Sequence, residues 1–233
     1  TFGGNIVAAS GTIKLDGSYP TGTENTAFGD GALDAIEATG NYNVAIGKDA
    51  LTDQTTADYN VAIGRRAGYD ITTGSENVAI GYLSLYAETT GANNVAVGTS
   101  ALQANATASN NVAIGDRALT ANTTGTDNVA VGSNAADANT TGDGNTAIGD
   151  NALGANTTAD NNTAVGGNAL LVNTTGAENV AVGKGSLDAN TTASYNTGIG
   201  TASLGANTTG ASNTGIGAYA LNANTTASNN VAI

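Results

Sequence analysis

Carboxylates are the only side chains here that could act as general acids or bases near neutral pH, because the chain holds no His and no Cys. A Ser or Cys nucleophile needs an imidazole or an equivalent base beside it, so triad chemistry is excluded. Asp143 and Asp160, seventeen residues apart at equivalent places, are the kind of carboxylate pair a polysaccharide hydrolase uses. The acidic residues as a set, however, scatter over variable positions between apolar segments, the pattern of a solvated edge. No catalytic residue is assigned, and the expectation is a protein that is not an enzyme. Gly142-Asp143-Gly144-Asn145 offers hard oxygen donors for calcium, yet no spaced Asp series or glycine-rich nonapeptide recurs, so neither a metal site nor a cofactor is expected.

Two other patterns carry recognition chemistry. Tyr59, Arg65, Arg66, Tyr69, Tyr82 and Tyr86 gather two of the six basic residues and four of the eight tyrosines into one short stretch, and Tyr and Arg are favoured contact residues. They form the candidate recognition patch, suited to a sugar or to another protein of the same assembly. Asn-x-Thr recurs at Asn105, Asn122, Asn139, Asn156, Asn173, Asn190, Asn207 and Asn224, formally acceptors for N-glycosylation. The same residues in register equally form an asparagine ladder. Gln54, Ile71 and Glu88 replace this Asn in earlier copies, which argues against a requirement for glycans.

What must position these residues is a repeat. An anchor Asn recurs at Asn25, then at Asn43, Asn60, Asn77, Asn94, Asn111 and onward to Asn230; the first spacing is eighteen residues and every later one seventeen. Such fidelity makes residues 25–233 one array, not several domains. Within a unit, Asn-Val/Thr-Ala-Ile/Val-Gly has the two-residue period of a short β-strand. Gly47, Gly64, Gly81, Gly98 and Gly115 then mark a corner where φ is positive or backbones approach closely. Ala50-Leu51 and Ala118-Leu119 read as a second short strand on a returning wall, and Asn-Thr-Thr-Gly/Ala closes the coil. No unit offers the roughly 10 to 12 uninterrupted residues a stable helix needs. The fold class is therefore all-β: a parallel β-solenoid of seventeen-residue rungs, with Asn-on-Asn and Thr-on-Thr ladders along its axis.

Residues 1–24 do not fit the unit. Ile6-Val7-Ala8 and Thr12-Ile13-Lys14-Leu15 suggest short strands that cap the array, as solenoid ends require. The absence of a starting Met and the stop inside a repeat at Ile233 suggest a segment of a longer chain. With 40% hydrophobic residues but only two Phe and no Trp, the core must be thin and finely divided. A formal charge of −13 opposes nucleic acid and anionic bilayers as partners, and no apolar run approaches a membrane span.

Asn43-Val-Ala-Ile-Gly47 and its copies resemble the head repeats of trimeric autotransporter adhesins of the YadA-like kind. That resemblance implies a left-handed parallel β-roll and association of three chains around one axis. Arrays such as Asn145 to Gly149 with Ala152-Leu153 and Asn156-Thr157-Thr158, together with the lead-in Leu15-Asp16-Gly17-Ser18-Tyr19-Pro20-Thr21-Gly22-Thr23, are also similar to bacteriophage tail fibres. Both resemblances imply a structural and adhesive rod outside the cell, on a virion or a bacterial surface, whose partners are other fibre proteins or a host receptor such as a glycan. The tail fibre is the favoured setting and the adhesin head the alternative. Ice binding through regular Thr rows is a minor third reading, weakened because adjacent Thr-Thr in a turn point in different directions.

Physical reasoning adds an expectation about assembly. If Val, Ile and Leu fill the coil, the first strand shows an outward stripe of Ala and Gly, and an apolar stripe running the length of a rod marks an association surface. A parallel homotrimer through this Ala/Gly-rich face is expected, with Ala113→Glu as its disruption.

Overall fold

The computed structural model describes residues 13–14, 24–36 and 39–233. Among these residues the chain is all-β, with fourteen short strands in one sheet whose spatial order is the chain order. Strand β1 (Ile13–Lys14) pairs antiparallel with β2 (Thr26–Phe28), with Ile13 opposite Phe28. From β2 onward every neighbour is parallel: Thr26 lies against Val44 of β3 (Val44–Ile46), Val112 against Val129, and Thr214 against Val231 of β14 (Val231–Ala232). Each partner is one repeat away, so each repeat is one rung of a β-solenoid. At about 4.8 Å per rung, the twelve intervals from Asn25 to Asn230 give an array roughly 60 Å long. The expected strand near Ile13 is present; Ile6-Val7-Ala8 lies outside the described residues.

The strand is confined to three residues because both flanks forbid extended backbone. The residue before each anchor Asn has positive φ, as at Tyr59 (φ 58) and Asn110 (φ 62), and the corner glycine follows, as at Gly64 (φ 137) and Gly115 (φ 139). Those glycines cannot be replaced cheaply. A Cβ on Gly64 would sit 2.5 Å from the Gly81 carbonyl oxygen of the next rung, so the corner is both left-handed and closed by its neighbour's backbone.

The returning wall departs from the expected second strand. Arg117 (φ 55) and Leu119 (φ 51) are left-handed, as are Ser100 and Leu102 one rung earlier. A wall with positive φ at every second residue cannot pleat as a β-strand, and it runs instead as a succession of turns. Rungs are still bonded along it: Leu102 N–H donates to the Ala118 carbonyl at 3.0 Å, and Leu119 N–H to the Ala135 carbonyl at 3.0 Å.

The faces of the first strand are the reverse of the expectation. Ala113 is 0% exposed and Ile114 is 40% exposed; across the array the central Ala or Gly points inward, while the first and third residues point out. The cause is the narrowness of the coil. One Leu from the returning wall, such as Leu119, fills the interior together with two alanines, Ala113 and Ala118, and only a methyl remains for the facing strand. Val and Ile are therefore displaced outward. The Ala/Gly stripe is core, and Ala113→Glu tests folding, not assembly.

Candidate functional surface

Two asparagine columns hold the rungs together from inside. In the anchor column, Asn60 N–H donates to Asn43 Oδ1 at 2.8 Å, Asn77 N–H to Asn60 Oδ1 at 2.9 Å, and so on through Asn94 and Asn111. The anchor side-chain amide also ties its own coil shut, as Asn60 Nδ2 does on the Gly74 carbonyl at 2.9 Å. The Asn-x-Thr residues form the second column: Asn122 Nδ2 donates to Asn105 Oδ1 at 2.8 Å and to the Gly125 carbonyl at 2.9 Å. Asn122, Asn139, Asn156 and Asn173 are fully buried, so their amides have no access for a glycan on the folded rod. They are ladder residues; Gln54, in the same column, closes its own coil by donating Nε2 to the Ala57 carbonyl at 2.8 Å.

Glu88 occupies this same column and is buried. Its carboxylate accepts from Gly91 N–H at 2.5 Å and from the amides of Asn94 and Asn105. Burial nevertheless raises its pKa above the usual carboxylate range, with those hydrogen bonds opposing the shift. In the sequence Glu88 reads only as a tolerated variant; its role as the acceptor that begins the uninterrupted asparagine ladder is visible only in the fold.

The two carboxylates weighed as a hydrolytic pair are occupied with backbone. Asp143 Oδ1 accepts Thr126 N–H at 2.6 Å and Asp160 Oδ1 accepts Asp143 N–H at 2.8 Å. Ser75 and Ser109 perform the same inter-rung bond at their positions, so the requirement there is a hydrogen-bond acceptor rather than an acid. Among the described residues no group of three or more His, Cys, Asp or Glu is placed to hold a metal ion, and no helix is long and apolar enough to cross a membrane. The Thr-Thr doublets divide as their adjacency implied: Thr123 Oγ1 donates to the Thr140 carbonyl at 3.0 Å, while Thr124 faces solvent.

The aromatic and basic residues resolve into separate groups. Tyr59 (55% exposed) stacks on Tyr42 with ring centroids 5.0 Å apart. The Arg65 guanidinium lies 5.8 Å from the centre of the Tyr82 ring. On the returning wall Arg66 lies 5.6 Å from the Tyr69 ring, which stacks at 5.3 Å on Tyr86, and Arg66 is also 3.6 Å from Asp49. Tyr59, Arg65 and Tyr82 therefore border the outward face of the strands, and Arg66, Tyr69 and Tyr86 belong to the opposite wall. The candidate patch is two surfaces.

The surface that sequence reading missed is the outward strand face. Ile46, Ile63, Ile114, Ile148, Ile199 and Ile216 are each exposed by more than a third of their area, in one column, beside a parallel column of Val and Thr. The signal lies in the alternation Val-Ala-Ile; what misassigns it is the assumption that the larger residues of the pair face inward. Comparisons with protein-family models, with curated proteins and with solved structures find no match in any of the three.

Proposed function

We propose that this chain is a structural and adhesive rod of an elongated extracellular fibre, with three parallel copies packed through their Val/Thr and Ile/Val columns, and that its setting is a bacteriophage tail fibre engaging a host cell. The observation that carries the reading is the pairing of β2 through β14 in one unbroken parallel sheet, whose outward side carries a continuous column of Phe, Ile and Val at the third strand position from β2 to β13. Parallel sheets ordinarily have both faces covered, and a contiguous apolar face of this extent marks association. Rungs stacked from β2 to β14 without a break suit a spacer that holds a binding surface away from its base. The Arg66-Tyr69-Tyr86 stack, on the wall away from the strand face, is the surface left for another fibre protein or a host glycan. The head of a trimeric autotransporter-type adhesin is the alternative setting, supported by the same Asn-Val-Ala-Ile-Gly rung; a membrane-anchoring barrel in the full-length protein would select it over the fibre.

The test is sedimentation of the chain with its native flanking regions, beside Ile114→Asp. The wild type is expected at the mass of three copies. Ile114→Asp is expected to dissociate it while each copy keeps its β circular dichroism, because an exposed strand position costs at most about 1 kcal/mol of intrinsic stability. A monomeric wild type rejects the assembly, and an assembly indifferent to Ile114→Asp rejects this face.

A further inference from the structure

The returning wall changes character over a few rungs. The column that follows the inward leucine carries Tyr69, Tyr86 and then Gln103, and the column beside it carries Asp53 and Asp70; from Ala87 onward that second column is Ala at every rung except Val172. The rings of Tyr69 and Tyr86 are 17° from parallel with centroids 5.3 Å apart. That is close to the rung spacing of about 4.8 Å, so the rings lie across the rod axis and turn their edges and hydroxyls away from the wall. Arg66 fixes the stack, its guanidinium 5.6 Å from the centre of the Tyr69 ring and its Nε 3.6 Å from an Asp49 carboxylate oxygen. Side chains held by one another in this way lose little rotamer freedom when a ligand arrives.

Beside this fixed stack stand polar groups that the fold does not use. Among the described residues the carboxylates of Asp53 and Asp70 and the side-chain amide of Gln103 enter no hydrogen bond or ion pair. Elsewhere the aspartates are spent: Asp58, Asp143 and Asp160 accept backbone N–H groups, and Asp30 holds Lys48. Asp53 is exposed and Asp70 half-buried. Burial raises the pKa of Asp70 and the Asp53 charge raises it further, which puts the two carboxylates within reach of one ligand.

We infer that the patch of Arg66, Tyr69, Tyr86, Gln103, Asp53 and Asp70 is a binding site for a neutral saccharide. The inference rests on the adhesive reading above and names its ligand and its place. Saccharide hydroxyls donate to carboxylates and accept from a guanidinium, an amide or a phenol, and the outward ring edges, which carry the positive rim of the π-system, meet sugar oxygens. Asp49, Asp53 and Asp70 stand against the single cation Arg66, so sugars bearing carboxylate, sulfate or phosphate are repelled. A protein partner needs a centre that can be fully desolvated, whereas here unpaired carboxylates border the stack. From Asp53 to Gln103 the patch crosses three rung intervals, roughly 15 Å, which suits a short oligosaccharide and exceeds a single sugar. It lies on the wall away from the strand face, so assembly through that face leaves it open.

The test is native electrophoresis of the chain with its native flanking regions through gels containing mannan, galactan or dextran, with polygalacturonate as the anionic comparison. The wild type should be retarded in at least one neutral gel and not by polygalacturonate. In the retarding gel, Tyr69→Ala with Tyr86→Ala, and Asp53→Ala with Asp70→Ala, should each raise the apparent Kd by about tenfold or more. Asp137→Asn, farther along the same wall, should leave it within about twofold. Tyr69→Phe with Tyr86→Phe keeps the stack and removes only the hydroxyls; it should still weaken retardation severalfold, and it decides the matter if the alanine pair disturbs the wall's circular dichroism. No retardation in any neutral gel, stronger retardation by polygalacturonate, or stack variants that bind as the wild type does, overturns the saccharide site; if that wild type sediments at the mass of three copies, the assembly stands. Retardation that depends on the stack in a chain sedimenting as one copy overturns the assembly and leaves the site standing.

Discussion

The rungs between Asn43 and Thr90 and those between Asn111 and Ala206 share one backbone and differ in what fills it. Corner φ is 137 at Gly64 and 133 at Gly149, and the strands have the same length and register in both regions. Inside, the column that is Asn122, Asn139, Asn156 and Asn173 in the later rungs is Gln54, Ile71 and Glu88 in the earlier ones. The earlier set forms a coherent replacement. Ile71 accompanies Gly68, which stands where Leu119 stands in a regular rung, and the Ile71 Cδ1 lies 3.0 Å from where a Gly68 Cβ would be. Ile71 fills the space the missing leucine leaves. Above it Glu88 must accept the Asn105 amide while facing, on its other side, an isoleucine that offers no acceptor; a carboxylate has acceptors only and needs none. The comparison teaches that the corner glycine and anchor asparagine define the rung, and that the inner column needs only volume and hydrogen bonds that balance.

The largest effects should therefore be independent of region. Gly64→Val and Gly149→Val each place a Cβ on a left-handed corner against the next rung's backbone, and each should lower stability by at least about 3 kcal/mol in matched denaturant melts. Ala113→Glu, which buries a charge in the closed coil, should do at least as much. Asp116→Ser, at an exposed site whose nearest cation is Arg117 at 3.6 Å, should shift the melt by no more than about 0.5 kcal/mol. A corner that tolerated Val in the earlier rungs and not in the later would break the comparison at its base.

The inner column should show the regional difference. Asn156→Ala removes the acceptor for Asn173 and the donor to Asn139, bonded at 3.4 and 2.8 Å, and leaves buried polar atoms on both sides. A loss of about 1 to 3 kcal/mol is expected. Gln54→Ala removes one bond within its own coil and a long one of 3.4 Å to Asn60, with only Ile71 above, so its loss should be the smaller. Equal losses would show that the ladder bonds between rungs add nothing to the bonds within them.

Glu88 makes the difference dependent on pH. Its pKa is raised in the fold by burial, so the stability linked to it is fully present below the unfolded carboxylate pKa and is lost as pH rises through the higher folded one. Asp70, Asp137 and Asp188 are raised for the same first cause, with Asp53 adding to the effect at Asp70. The wild type should thus melt higher in mild acid than at neutral pH. Glu88→Gln should reduce that slope, and Gln54→Glu, which places a second buried carboxylate in the earlier rungs, should steepen it. A Glu88→Gln slope identical to wild type would place the pH dependence elsewhere.

How much of this is legible in the sequence follows the same division. Periodicity alone supplies the rung, the corner at Gly115 and the ladder through Asn111, because each is a backbone requirement repeated without variation. The inward Ala113 and outward Ile114 are misread because alternation gives two faces and does not say which is inside; that depends on the volume left by Leu119 from the opposite wall. The returning wall is misread because Ala118-Leu119 looks like strand sequence, and nothing in the residue types announces a leucine with φ of 51. Glu88 and Ile71 are legible only as departures, since their reasons lie one rung away.

A last pair of variants tests whether the departures at Ser186 and Gly198 depend on each other. In two later rungs the inward strand residue is Gly198 or Gly215 in place of Ala, and each faces a Ser from the preceding rung in place of Ala. Ser186 Oγ donates to the Gly198 carbonyl at 2.9 Å, and a Cβ on Gly198 would lie 2.6 Å from that oxygen; Ser203 and Gly215 repeat the arrangement with values of 2.9 and 2.7 Å. The regular rungs place Ala169 and Ala181 at the equivalent positions, and one earlier rung sets Ser84 opposite Ala96; there Ser84 Oγ turns to the Gly81 carbonyl at 3.0 Å, so a mixed pairing fits only when the serine gives up its bond to the next rung. Gly198→Ala alone should cost about 1 kcal/mol by turning Ser186 Oγ away from the next rung, as Ser84 Oγ is turned to the Gly81 carbonyl, and Ser186→Ala alone about 1 kcal/mol through the lost hydrogen bond and the space left behind. The double variant Ser186→Ala with Gly198→Ala recreates the regular pair and should recover most of both losses, giving a coupling of about 1 kcal/mol or more in a double-mutant cycle. Additive losses would mean that the two substitutions arose independently and that the coil is loose enough at this rung to accept either residue on either side.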